Sequence, residues 1–266
     1  MEQFYVLLLL IASFGYVFLG VSFNSHSSFV SNGVARHLLF ALTVISLGGA
    51  LLPGWFSSSG MQFGFATAIA WMFWLASILI WIEVFFAPEP LSARYIFFPA
   101  VLAALLPIFV PSPTLSSNLS FLFRCHILVA MLAYSSFALA VAHGSIMMAH
   151  EASLRKLKQK EIFSSMPSLL EMDASLVRVL FVSFILISAT LASGIAINNE
   201  IGKNFLEFDH KTLFAFAAWI VVLALLTGRI YFGWRGRFAA RWTIVGFVFL
   251  VLAYIGTKFV VELLIN

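Results

Sequence analysis

With 62% hydrophobic and only 10% charged residues over 266 positions, and a mean hydropathy of +1.03, the chain is far too apolar for a water-soluble domain, in which roughly a quarter of residues are charged. A formal net charge of +4 is too small to suggest nucleic acid and reads instead as the charge that sets membrane topology. Cys125 is the single cysteine, which excludes an internal disulfide and a CxxC redox pair.

Apolar runs of about 17 to 25 residues cross a hydrocarbon core as helix. Eight can be drawn, near Phe4 to Phe23, His37 to Leu52, Phe63 to Phe86, Tyr95 to Val110, Phe121 to Met148, Ala174 to Ile197, Lys211 to Ile230 and Arg241 to Leu264. The second and fourth are short. The stretch from Asn24 to Asn32 is serine-rich, Pro53 and Gly54 are expected to end the second span, Pro88 and Pro90 the third, and Pro111 with Pro113 the fourth. Nothing basic precedes the first span and no small-residue cleavage pattern closes it, so it is expected to be retained rather than removed as a signal peptide. The expected fold is therefore all-α: a polytopic integral membrane protein, one transmembrane helical domain over residues 1–266, built as a bundle of eight transmembrane helices.

Orientation follows from lysine and arginine. The odd-numbered loops and their margins hold Arg36, Arg94, Arg155, Lys156, Lys158, Lys160, Arg178, Arg229, Arg235, Arg237 and Arg241, against Arg124, Lys203, Lys211 and Lys258 on the other side. The positive-inside rule places the odd loops in the cytoplasm and both termini on the outer (periplasmic) side of a bacterial inner membrane. The polar segment 149–173 is then a cytoplasmic loop. Its first part has helical character and is expected to prolong the fifth span, with Pro167 marking a turn before the sixth. It reads as a solvated, topology-setting loop, with partner docking as its alternative role, and the chain allows a membrane or periplasmic protein partner.

Catalytic signatures are missing. The sequence has no GxGxxG, P-loop, HExxH or nucleophile elbow, and its acids within spans reduce to Glu83 and Glu262, each near a span end. An enzyme is the less favoured reading, and so is an ion-coupled transporter, which leaves ionisable groups deep in the bundle. The histidines are the remaining chemistry. His37, His143 and His150 fall near the cytoplasmic face and His26 sits in a loop, all compatible with interfacial hydrogen bonding. His126 and His143 share a span but lie 17 residues apart, roughly 25 Å along a helix, so they cannot grip one ion. His126 and His210 stand at the heads of the fifth and seventh spans on the predicted outer face, where packing of those spans would bring two imidazoles to one metal, haem iron included. Asp209 is the one carboxylate immediately beside either ring and the expected partner that fixes a tautomer.

The segment from Gly233 to Thr243, GWRGRFAARWT, reads as a tight re-entry hairpin with interfacial tryptophans. Arg235, Arg237 and Arg241 are its candidate contacts for an anionic group such as a propionate or a lipid headgroup.

The stretch from Phe208 to Leu264 resembles the C-terminal part of the cytochrome c assembly family, the CcsA, CcmC and HemX group of haem-handling membrane proteins, and is most similar to its small inner-membrane, YpjD-like branch. The segment from Cys125 to Met147 is similar to the family helix that begins with an outward-facing histidine and carries a tyrosine two turns on, here His126 and Tyr134. MPSLLEMD before the sixth span and GMQFGF before the third add weaker similarity. The resemblance implies a bundle that presents haem at its outer face, with His126, His210, Asp209 and Tyr134 as cofactor-binding candidates. It also shows departures. The synthetase members carry a WxWDPKE motif before the seventh span, whereas this chain reads Glu207, Phe208, Asp209, His210, Lys211, Thr212, and Thr227 stands where they have an inner histidine. Haem handling without complete lyase activity is the implied function. An accessory subunit of a divalent-cation (magnesium or cobalt) exporter and a lipid-interacting bundle without ligand are the alternatives.

Overall fold

The computed structural model describes residues 2–23, 33–57, 60–86, 92–115, 119–155, 167–200 and 210–256. Lys156, Lys158, Lys160, Lys203, Lys258, Asp209, Glu262, Pro88, Pro90 and His26 lie outside the described residues. The helices are α1 (Glu2–Ser22), α2 (Gly33–Trp55), α3 (Phe65–Phe86), α4 (Ala93–Phe109), α5 (Phe121–Arg155), α6 (Leu169–Glu200), α7 (His210–Phe232) and α8 (Arg237–Val251), the last continued by a π-helical turn, Leu252–Gly256. Among the described residues the protein is all-helical, apart from one isolated antiparallel bridge between Gln62 and Thr114. Seven helices are long and apolar enough to cross a membrane. The exception, α4, has 17 residues and carries Pro99 and Pro107 within it.

Each expected span overlaps a helix among the described residues, which end at Gly256 within the last of them, and the boundaries differ for local reasons. Pro53 does not end the second span, because α2 runs on to Trp55. A proline so close to a helix end removes one late hydrogen bond and bends little, and the Gly54 carbonyl is taken up by the Gln62 amide at 2.9 Å. Helix α5 reaches Arg155, as its helical character suggested, and its 35 residues span about 52 Å, well beyond a hydrocarbon core of about 30 Å. Helix α6 begins at Leu169, ahead of the expected Ala174, on a reciprocal capping box: the Ser168 amide donates to Glu171 Oε2 at 3.0 Å, and the Glu171 amide donates to Ser168 Oγ at 3.3 Å.

The fold divides into two compact units, one formed by residues up to Cys125 and one beginning at His126. In the first, α1 packs against α2 and α4, and α3 packs against the same two, so α1 and α3 stand diagonally in a four-helix arrangement. Small residues permit the close approaches: Gly48 leaves room for the Trp74 indole, whose Nε1 donates to the Val44 carbonyl at 2.8 Å. Tyr16 and Ser77, both fully buried, hydrogen-bond at 2.9 Å. Arg124 Nη1 donates to the Trp55 carbonyl at 2.5 Å, placing a cation on the C-terminus of α2 where the helix dipole favours one.

In the second unit, α5 runs antiparallel to α6. As the α5 partner advances from His126 to Ser136 to His150, the α6 partner retreats from Ser193 to Ser183 to Met172. The same opposed register joins α5 to α8, through Tyr134 with Leu250, Phe137 beside Gly246, and Gly144 beside Ala240. Helix α5 is buried on almost all sides between Ala133 and Met147, as expected of a helix apolar all round. Helix α7 closes the unit against α6 and α8.

Candidate functional site

Helix α6 carries serines at 183, 188 and 193. An interval of five turns each residue by roughly 140° from the last, so the three hydroxyls meet different neighbours. Ser183 meets Ser136 of α5 at 3.0 Å, Ser188 accepts from Trp219 Nε1 of α7 at 2.8 Å, and Ser193 meets His126 Nδ1 of α5 at 2.8 Å. Interhelical polar contacts of this kind contribute about 0.6 kcal/mol each in a membrane protein.

The last contact has chemical content. Ser193 donates its proton to the Thr190 carbonyl at 3.0 Å, one turn back in its own helix. With the hydroxyl proton directed to Thr190, the Ser193 oxygen faces His126 with lone pairs and accepts from the ring's Nδ1–H. With the proton on Nδ1, the other nitrogen, Nε2, keeps its lone pair, which is the form of imidazole that ligates a metal. Gly194 adjoins the same ring: a Cβ there would lie 3.5 Å from His126 Cε1. His126 is half-buried.

The other candidates are placed as follows. His210 is the first residue of α7 and is exposed. Asp209, the carboxylate beside His210 in sequence, lies outside the described residues; the side chain that the structure brings to the His126 ring is Ser193, from another helix. Tyr134 is buried and donates to the Leu250 carbonyl at 2.5 Å, at the point where α8 gives way to the π-helical turn. The phenol thus adds a donor from α5 to a carbonyl near the end of α8. Among the described residues, no group of three or more His, Cys, Asp or Glu side chains is placed to hold a metal ion.

A second polar cluster lies at the opposite end of this unit. Asp173, 4% exposed, accepts from Arg229 Nη1 at 2.6 Å and from the Gly236 amide at 3.0 Å. One carboxylate thus ties the end of α7 to the start of α8. Gly233 and Gly236, with φ of 67° and 62°, make the turn between them in the left-handed region glycine adopts without strain. The Trp234 indole packs on Gly228, and its amide donates to the Gly228 carbonyl at 3.2 Å. Glu151 pairs with both Arg155, at 2.7 Å, and Arg237, at 3.2 Å. Of the three arginines anticipated to meet an anion, Arg237 already faces a carboxylate, while Arg235 and Arg241 are exposed. The sequence reading missed Asp173 and Ser193. Asp173 was detectable as an acid at the margin of a span, whereas serines in apolar helices are too ordinary to single one out.

Comparison with known proteins gives a consistent picture. The family model described as Cytochrome C assembly protein matches residues 9–265. The chain is 30% identical over 141 residues to an uncharacterized 28.8 kDa protein in the nifR3-like 5' region of Azospirillum brasilense, covering 53% of this chain and 52% of that protein. It is 26% identical over 139 residues to the inner membrane protein YpjD of Escherichia coli K12, covering 52% of each. A shorter match, 34% identical over 89 residues, is to the cytochrome c biogenesis protein CcsA of Prochlorococcus marinus, covering 34% of this chain and 29% of that protein. The chain spans about half the length of the first two relatives.

Proposed function

Given that the chain belongs to the cytochrome c assembly protein family, and is a multi-pass bacterial inner membrane protein with YpjD and CcsA among its relatives, we propose that it binds haem through His126. The observation that supports this reading is the Ser193 and Thr190 chain beside His126, which favours a proton on Nδ1 and an Nε2 able to ligate. His126 is the residue that would hold the haem, through Nε2. Haem bound there would supply an iron that accepts an imidazole nitrogen. His210, exposed at the head of α7, is the candidate second ligand, with Asp209 beside it in sequence. Tyr134 acts at one remove, by holding the turn that follows α8.

In this reading the bundle has eight spans, α4 being a short one, with both termini and His126 on the periplasmic side. The protein holds or passes haem without being a complete lyase, because the tryptophan-rich motif of the synthetases is replaced by the residues around His210.

The deciding experiment is the absorbance spectrum of the purified protein, oxidised and reduced, after haem titration. A Soret band that is lost in His126→Ala and weakened in His210→Ala is expected. Folded protein that takes up no haem in either redox state would overturn the proposal. In that case divalent-metal tolerance in a deletion strain with intact cytochromes c becomes the test of an exporter-accessory role.

A further inference from the structure

We infer that the hairpin joining α7 to α8 is a binding site for an anionic phospholipid, with Arg235 and Arg241 on the phosphate and the outward stripe of α8 along the acyl chains. The stripe is written in the exposures. Phe238, Trp242, Val245 and Leu252 are 43%, 44%, 38% and 41% exposed, and their spacing of four, three and seven residues keeps them on one side of the helix. Apolar side chains that the fold leaves uncovered in a bilayer protein face lipid tails, and the Trp242 ring, packed 6.2 Å from Phe238, suits the level of the glycerol backbone.

Charge selects the headgroup. Arg241 stands beside Trp242 at the head of this stripe, and Arg235 is at the apex of the hairpin between two glycines. Neither has an ion pair among the described residues, whereas Arg229 is committed to Asp173 and Arg237 to Glu151. The N-terminus of α8 is not the anion site, because the Gly236 amide is already held by the Asp173 carboxylate. Among the described residues the two carboxylates therefore quench Arg229 and Arg237 and fix the hairpin, and the hairpin's unpaired charge is on the exposed Arg235 and Arg241. A zwitterionic lipid would bring its own cation to those guanidiniums, while an anionic headgroup would not.

The test is native mass spectrometry of the delipidated protein in detergent, titrated with phosphatidylglycerol or phosphatidylcholine of identical chains. One phosphatidylglycerol should be retained in preference to phosphatidylcholine. Each arginine near an anionic surface strengthens binding by roughly fivefold, so Arg235→Gln with Arg241→Gln should lower phosphatidylglycerol affinity by roughly 25-fold, with an unchanged melting temperature. Arg237→Gln should bind almost as the wild type does. Equal retention of both lipids by the wild type would overturn the inference, and so would a double variant that binds phosphatidylglycerol undiminished. None of these readouts involves haem, so the outcome is independent of the role of His126.

Discussion

At the scale of single residues, the informative feature is the division of labour between a histidine and the hydroxyl that orients it. Replacing Ser193 by alanine removes the acceptor for Nδ1–H and frees the ring to adopt either tautomer. Groups that orient a metal-bound histidine are worth about tenfold or more in affinity, so haem titration of Ser193→Ala should give a dissociation constant raised by about tenfold, with the Soret band still present. An unchanged constant would show that Ser193 only packs. Asp173 governs the other end of the unit. Asp173→Ala leaves Arg229 without its carboxylate and the Gly236 amide without its acceptor. Breaking a buried pair from one side costs about 3 kcal/mol, which a thermal melt in detergent would register as a clear loss of stability. His126 was legible in the sequence because a polar residue at the head of an apolar run stands out. Ser193 was not, because its partner lies 67 positions away in the chain, and only the antiparallel register of α5 and α6 brings them together.

At the scale of elements, helix positions followed from apolar runs and helix ends from chemistry beyond the runs. The capping box at Ser168 and Glu171 sets the start of α6, and its S-x-x-E spacing was present in the segment MPSLLEMD. The start of α8 at Arg237 rather than Arg241 rests on the glycine turn and on the hydrogen bond from the Gly236 amide to Asp173. The packing of α8 depends on small residues. At Gly246 a Cβ would meet Phe137 Cζ at 2.9 Å and Val221 Cγ1 at 3.1 Å, two side chains from two different helices. Gly246→Leu should therefore destabilise the second unit by about 2 kcal/mol or more, measurable by thermal unfolding. Tyr134→Phe removes only the donor to Leu250 and should cost about 1 kcal/mol. A larger loss would mean that the π-helical turn collapses without the phenol. The change from α-helix to π-helix at Leu252 could not be read from the residues, since nothing in LAYIG breaks a helix.

At the scale of the whole molecule, the proposed orientation rests on eleven basic residues against four. The positive-inside rule then makes a definite prediction for reporter fusions. A reporter active only in the cytoplasm should work when inserted in the 149–173 loop, and one active only in the periplasm should work at either terminus; the reverse pattern would move His126 to the cytoplasmic face. Composition and hydropathy by themselves determined that the chain is a helical membrane protein and where its helices run, because the cost of exposing backbone polar groups to lipid leaves a long apolar segment no other structure. The motifs around His126 and through the last two helices were enough to indicate the family. The tertiary structure alone decided which polar side chains meet: Ser193 with His126, Asp173 with Arg229 and Gly236, Glu151 with Arg237. These pairings depend on the rotation and axial offset of one helix against another. Small-residue contacts and interhelical hydrogen bonds set both, and neither leaves a periodic trace in the sequence.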